Sequence, residues 1–163
     1  MSKELTHTLV EDALSGELAE ARALLEAAQA GRLDPCLRGK KLALLCSDAG
    51  SSAALLFQRA AGALGAHVAI VQPGAPELTT PEKTRVTARL LGRLYDAIEC
   101  QGLPALLVQQ YRDLAGVPVY DGAATAEHPT ARLVDGWEGS GSEADKRCAV
   151  LQAVLVRSIT RGL

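Results

Sequence analysis

This 163-residue chain predicts an α/β fold built on a parallel sheet, and three observations carry the prediction. Short β-like apolar runs alternate with helix-periodic segments through the middle of the chain, the pattern of β-α-β units. Glycine or proline marks the ends of those segments, at Gly65, Pro104 and Gly116. The length is that of one domain, which at this size buries roughly two thirds of its surface on folding.

Two helices are predicted before the first strand. In the second, Ser15 suits the N-cap, Leu18, Ala21, Leu25 and Ala28 follow at helical spacing, and Gly31 stops the run. The predicted strands are Lys41–Cys46, His67–Val71, Asp96–Cys100 and Val117–Tyr120. Between the first two, Ser51–Leu64 reads as a helix closed by Gly65 in a left-handed C-cap. Pro73-Gly74-Ala75-Pro76 through Pro81 is a polar, turn-rich loop. Thr84–Leu94 is the next helix. Leu103–Leu114 follows, with Pro104 in its first turn and Gly116 just past its end. Residues 136–141 (Gly-Trp-Glu-Gly-Ser-Gly) read as a short flexible linker. Beyond it, Ser142 with Asp145 approximates a capping box, and Cys148, Leu151, Leu155 and Ile159 make one apolar stripe before Gly162. At the usual rise, a helix over Glu143–Thr160 is about 27 Å long.

Hydrophobic residues make up 48% of the chain but aromatics only 3%, so the core has to be built from Ala, Leu and Val. Interfaces usually lean on aromatic anchors, so a partner surface here is expected to be aliphatic. A net charge of −2 leaves no electrostatic footprint for nucleic acid or an anionic membrane. Apolar runs such as Ala53–Phe57 are far too short to cross a bilayer. Met1-Ser2-Lys3-Glu4 does not read as a signal peptide, and the expected location is the cytoplasm. Cys36, Cys46, Cys100 and Cys148 are widely spaced and read as buried thiols, not as disulfide or metal partners. Gly39-Lys40-Lys41 lacks the upstream glycine and following Ser/Thr of a nucleotide loop and precedes its strand. A dinucleotide fingerprint is likewise absent, so neither cofactor nor metal is expected.

Thr87-Ala88-Arg89-Leu90-Leu91-Gly92-Arg93-Leu94-Tyr95-Asp96-Ala97-Ile98 resembles the T-A-R-V-L-G-R-M-Y-D-x-I segment of ornithine carbamoyltransferases. Ala115-Gly116-Val117-Pro118-Val119-Tyr120-Asp121-Gly122 and His128-Pro129-Thr130 resemble that family's A-x-V-P-V-x-N-G and H-P-T-Q. The resemblance implies a carbamoyl-phosphate domain over residues 1–135: a three-layer sandwich with a four-stranded parallel sheet and helices on both faces. Full-length members add an amino-acid-binding domain and a last helix that returns to the first domain. Residues 142–163 resemble that helix, with the linker 136–141 in place of the second domain. Members form trimers through the first domain, so the resemblance implies a homotrimer, or association with a full-length carbamoyltransferase.

The family binds phosphate with S-T-R-T-R at a helix start, where free amides, the helix dipole and charge-assisted arginine bonds act together. Here Gly50, Ser51, Ser52, Ala53 and Ala54 align with that motif, so both arginines are replaced, by Ser52 and Ala54. Just upstream, Ser47 and Asp48 stand where an F-E-K-like stretch is common, which puts an acid at a lysine position. Ser47, Asp48, Ser51 and Ser52 read either as a remnant anion site or as ordinary helix caps. The family's Y-R-G is Cys100-Gln101-Gly102, and its H-P-T-Q ends in Ala131. His128 survives and can polarise a carbonyl, or it persists because His-Pro-Thr starts a helix well. A lysine that family trimers insert from a neighbouring subunit falls near Pro81, with Lys83 two residues on.

Each charge-assisted bond contributes roughly 1.5–3 kcal/mol. Losing even about 5 kcal/mol weakens binding more than a thousandfold. The expectation is therefore a chain with no catalytic residues that acts as an oligomeric binding or regulatory protein. The alternatives are a module that binds a small neutral or weakly acidic molecule near Gly50, Ser51, Ser52, Gln101 and His128, or an enzyme completed by a partner chain.

Overall fold

The computed structural model describes the backbone of residues 2–74 and 79–161, and the side chains from residue 14 onward within those ranges. Ala75 and Pro76 of the predicted loop, and Gly162, lie outside the described residues. Four strands, β1 (Lys41–Leu45), β2 (His67–Val71), β3 (Ala97–Cys100) and β4 (Val119–Asp121), form one sheet in the order β2-β1-β3-β4. Every pairing is parallel, as the alternation of strand and helix requires. The helices are α1 (Ser2–Gln29), α2 (Ser52–Ala63), α3 (Pro81–Leu94), α4 (Ala105–Ala115) and α5 (Glu143–Thr160).

The pleat of β1 divides the core. Successive side chains point to opposite faces, so Leu42 and Leu44 pack with Phe57, Leu64, Leu151 and Leu155 of the α2 and α5 side. Ala43 and Leu45 pack with Leu91, Val108 and Tyr111 of α3 and α4. Helices cover both faces, as expected. A third cluster, Ala21, Leu25, Trp137, Ala149, Val150 and Ala153, sets α1 against the outer side of α5. The apolar surface of α5 is therefore wider than the single stripe predicted for it: Ala149, Val150 and Ala153 are as buried as Cys148, Leu151 and Leu155.

Several sequence expectations change. The region before β1 is one continuous helix, not two, and Ser15 lies inside it. An interior serine costs a helix only a few tenths of a kcal/mol, too little to break one held by tertiary packing. The residues 136–141 are not a free tether, because Trp137 is buried and the Arg22 and Lys146 cations lie over its ring, 5.9 and 5.8 Å from the centroid. Such stacking adds about 0.5–2 kcal/mol. Pro104 caps α4 instead of entering its first turn, while Gly116 ends the helix in the left-handed conformation (φ 74°) that only glycine adopts without strain. Helix α3 begins three residues before the predicted Thr84, with Thr80 as N-cap and Pro81 in the first turn. The capping box on α5 is formed as predicted, both of its hydrogen bonds being present.

Candidate functional site

The C-terminal end of β1 and the start of α2 hold the first group of predicted site residues. Asp48 Oδ1 accepts a 2.9 Å bond from Gly50 N, and Ser51 Oγ accepts a 3.1 Å bond from Ala54 N. Asp48 thus closes the turn before α2, and Ser51 caps the helix by satisfying a backbone amide that its start leaves free. Ser52 and Ala53 follow on the first turn and line a cavity of 430 Å³ with Leu56, Ala124, Ala126, Glu143, Ala144 and Arg147. Ala54 is fully buried in the core beside Phe57.

Gln101 follows β3, tied to β1 by a 2.9 Å bond from its N–H to Leu45 O. It is 8% exposed. Its Nε2 donates to Glu99 Oε2 at 3.4 Å, and its Oε1 is buried with no donor facing it. Glu99 is the more unusual residue. It is 0% exposed in a strand whose every residue is buried, and its carboxylate accepts from Ala123 N (2.9 Å) and Ala124 N (3.0 Å). Burial pushes its pKa up to about 7, although the amides of Ala123 and Ala124 and the Gln101 side chain pull the other way.

His128 caps a 3-10 turn over Pro129–Val134, with Pro129 at its first position, which is the helix-starting role expected of His-Pro-Thr. Thr130 N donates to His128 Nδ1 at 3.3 Å, and Thr130 Oγ1 lies 2.7 Å from the same nitrogen. An N–H can only donate, so Nδ1 is the acceptor and the neutral ring carries its proton on Nε2. Burial holds the imidazole pKa below its usual value. Arg147 and Arg112 add to that lowering, and Asp121 opposes it. His128 lines a cavity of 410 Å³ with Gly102, Leu103, Asp121, Gly122, Thr125, Glu127 and Pro129. Its charged lining is acidic, which disfavours a phosphate dianion. Ala131 is buried one turn further on.

The predicted residues are therefore distributed, not gathered. Ser52 and Ala53 line one cavity, His128 lines another, and Gly50, Ser51 and Gln101 line neither of these two. Lys83 sits in the first turn of α3, its N–H bonded to Thr80 Oγ1, and Pro81 is the first residue of that helix. Among the cysteines, Cys46, Cys100 and Cys148 are buried as expected, whereas Cys36 is exposed, because it lies in the turn between α1 and β1.

The carbamoyl-P binding domain of the aspartate/ornithine carbamoyltransferases matches residues 5–137. This chain belongs to that family. The ornithine carbamoyltransferase of Cutibacterium acnes is 38% identical to this carbamoyltransferase relative over 112 residues, 69% of this chain and 34% of that protein. The catabolic ornithine carbamoyltransferase of Haemophilus influenzae is 37% identical over 115 residues, 71% of this chain and 34% of that protein. The chain spans about a third of the length of the curated relatives it matches. Among solved structures, the ornithine carbamoyltransferase from Pyrococcus furiosus shares the fold with a TM-score of 0.65 at 25% identity, over 77% of this chain and 40% of that one. The catalytic subunit of M. jannaschii aspartate transcarbamoylase shares it with a TM-score of 0.63 at 21% identity, over 92% of this chain and 44% of that one.

Within this carbamoyltransferase-family domain, two residues near the predicted site escaped the sequence reading. Arg147 reaches from α5 to Ala124 O (3.3 Å) and Thr125 O (3.0 Å), beside Ser52 and Ala53. No local pattern announces that contact, since it depends on where α5 docks. Glu99 did carry a signal: an acid inside a four-residue strand flanked by Ile98 and Cys100 is an ionisable group that the fold has to bury.

Proposed function

We propose that this chain is a carbamoyltransferase-family domain that does not transfer carbamoyl groups on its own and works through contacts with other protein chains. The observation that carries this reading is the missing positive charge where the family binds phosphate. The positions that resemble its arginines hold Ser52, Ala54 and Gln101, Asp48 stands at a common lysine position, and Ala131 replaces the glutamine beside His128. The cation that shares a cavity with Ser52, Arg147, donates to loop carbonyls and faces Glu143 in the same lining. Loss of three charge-assisted partners lowers phosphate affinity and removes the charge that stabilises a leaving phosphate.

In this reading α5 is the family's returning helix, and residues 136–141 stand where the amino-acid domain would be inserted. The packing of α5 between α1 and α2 supports that assignment. The chain is cytoplasmic and assembles with itself, a trimer being the family's arrangement, or with a full-length carbamoyltransferase. Aliphatic side chains exposed on α3, Val86, Leu90 and Leu94, each more than half exposed, support an aliphatic contact surface. The 410 Å³ cavity at His128 favours, as a second reading, a small neutral molecule in place of a phosphate.

Calorimetric titration with carbamoyl phosphate to millimolar concentration tests the proposal. The expected result is no saturable heat. Binding tighter than about 100 μM would require cationic partners beyond those named, and would overturn it.

A further inference from the structure

The two edges of the sheet are finished differently. At β4 the outward side is closed off: the strand has three residues and ends in the exposed Asp121. Its Val119 carbonyl accepts a 3.2 Å bond from Arg112 Nε of α4. Short length, a charge and a covering side chain are devices by which proteins keep an edge from pairing with another chain. At β2 none of them is present. Its five residues, His67-Val68-Ala69-Ile70-Val71, include no Asp, Glu, Lys, Arg or Pro, in a chain that is 22% charged.

The ends of β2 fix which of its backbone groups face outward. His67 N donates to Lys40 O at 2.9 Å, and Val71 O accepts from Cys46 N at 3.3 Å. His67, Val71 and Ala69 between them therefore turn their amides and carbonyls to β1. The N–H and C=O of Val68 and Ile70 point the other way, because successive residues of a strand bond to opposite sides. β2 is the outermost strand, and among the described residues nothing bonds to these groups. The side chains leave the edge open too: Ile70 is 44% exposed, and α2, which packs on β2, exposes Leu55.

Such an edge is complementary to itself. A second copy laid antiparallel about Ala69 sets Val68 opposite Ile70 on both sides, and each of those pairs exchanges both of its N–H···O bonds. Ala69 then opposes its own copy in the close pair that shares no hydrogen bond, with Cα atoms about 4.5 Å apart, where a side chain of one carbon fits. With no charge on the strand, the pairing brings no like charges together. We propose that β2 joins two copies of this chain, edge to edge and antiparallel, into one continuous sheet. The contact is two-fold, unlike the family's trimer, and it rests on the reading that the domain works through contacts with other chains. Interfaces this small, below about 1,200 Å², are weak, so the pairing is concentration-dependent.

Sedimentation velocity and NMR amide exchange on the unaltered protein, each from about 10 μM to about 1 mM, test the proposal. The expected result is a reversible doubling of mass, with exchange at Val68 and Ile70 slowing in proportion to the unpaired fraction. Exchange at Ala69 and Val71, whose amides bond to β1, should not change with concentration. Added salt should leave the equilibrium unchanged, because no charge takes part. Ile70→Lys, a charge at a half-exposed edge position, should remove the doubling. A single mass across the range overturns the proposal, as does association in which Val68 and Ile70 keep exchanging as open amides, or a doubling that survives Ile70→Lys. Should that variant fail to fold, the exchange pattern of the unaltered protein decides alone. Association through another surface would sink the β2 pairing and leave the contact-making domain standing, whereas tight carbamoyl phosphate binding would strike only the latter.

Discussion

Gly92 lies within α3, where helix propensity alone would make alanine the better residue by about 1 kcal/mol. The packing of α3 on α4 reverses that sign. A Cβ on Gly92 would lie 1.8 Å from the carbonyl oxygen of Ala115, 2.7 Å from its carbonyl carbon and 3.1 Å from its Cα. Weak C–H···O contacts settle at about 3.3 Å or more, so a shift of roughly 1.5 Å is needed. Every atom in the way is backbone, and no rotamer change can provide it. The helices would have to separate across a layer that contains Ala88, Leu91, Val108 and Tyr111. Overpacking of this kind costs typically 1–3 kcal/mol and sometimes more. Set against the propensity gain, Gly92→Ala should destabilise the domain by about 2 kcal/mol. Gly62→Ala is the control: it is also helical, with nothing within 4 Å of the added carbon, and should gain up to about 1 kcal/mol. Thermal unfolding reads both, at about 2–4 °C per kcal/mol for a domain of this size. A Gly92→Ala protein as stable as the parent would refute the close approach of α3 to Ala115, and with it the packing of that layer.

Other predictions follow from the buried groups. The folded-state pKa of Glu99, about 7 against an ordinary 4.5, means that the native state binds a proton which the unfolded state releases. The contribution of Glu99 to stability is then greatest below about pH 4.5, falls by at most about 3 kcal/mol as the pH rises through 7, and is flat above. Urea unfolding across pH 4.5–8 checks this, and Glu99→Gln should abolish the slope. Ser52 is exposed and Ala54 is not, so reversion toward the family motif should succeed at one position only. Ser52→Arg should bring phosphate binding, undetected in the parent, within the reach of calorimetry, while Ala54→Arg should lose several kcal/mol in unfolding experiments by burying a cation. Native protein should expose one thiol, Cys36, to an aromatic disulfide reagent, and all four only in denaturant. A second fast thiol would contradict the burial of Cys46, Cys100 and Cys148.

The parallel sheet, its strands to within two residues, the α5 capping box and the Gly116 stop were all legible in the chain, because each rests on local chemistry. Alternating apolar runs, a serine followed by an aspartate three residues on, and a glycine after a periodic segment act over one or two turns. The motifs from Thr87 to Thr130 made the family legible as well. Ser15, Trp137 and Gln101 were not. A serine reads as a cap until the packing of α1 on α5 carries the helix through it. A tryptophan among glycines reads as linker until Arg22 and Lys146 close over it. Of the residues grouped as one site, Ser52 and Ala53 line one cavity, His128 lines another, and Gly50, Ser51 and Gln101 line neither, because side chains that neighbour each other in a motif need not face the same space.

The sequence by itself determined the fold class and the family, since side-chain identity and short-range pattern are enough for each. The tertiary structure decided which polar groups are buried together. Glu99, Gln101 and the amides of Ala123 and Ala124 meet only when β3 and the loop after β4 close against one another. A carboxyl that titrates near neutrality there is a property of that enclosure, because the desolvation that raises its pKa exists only once water has been excluded.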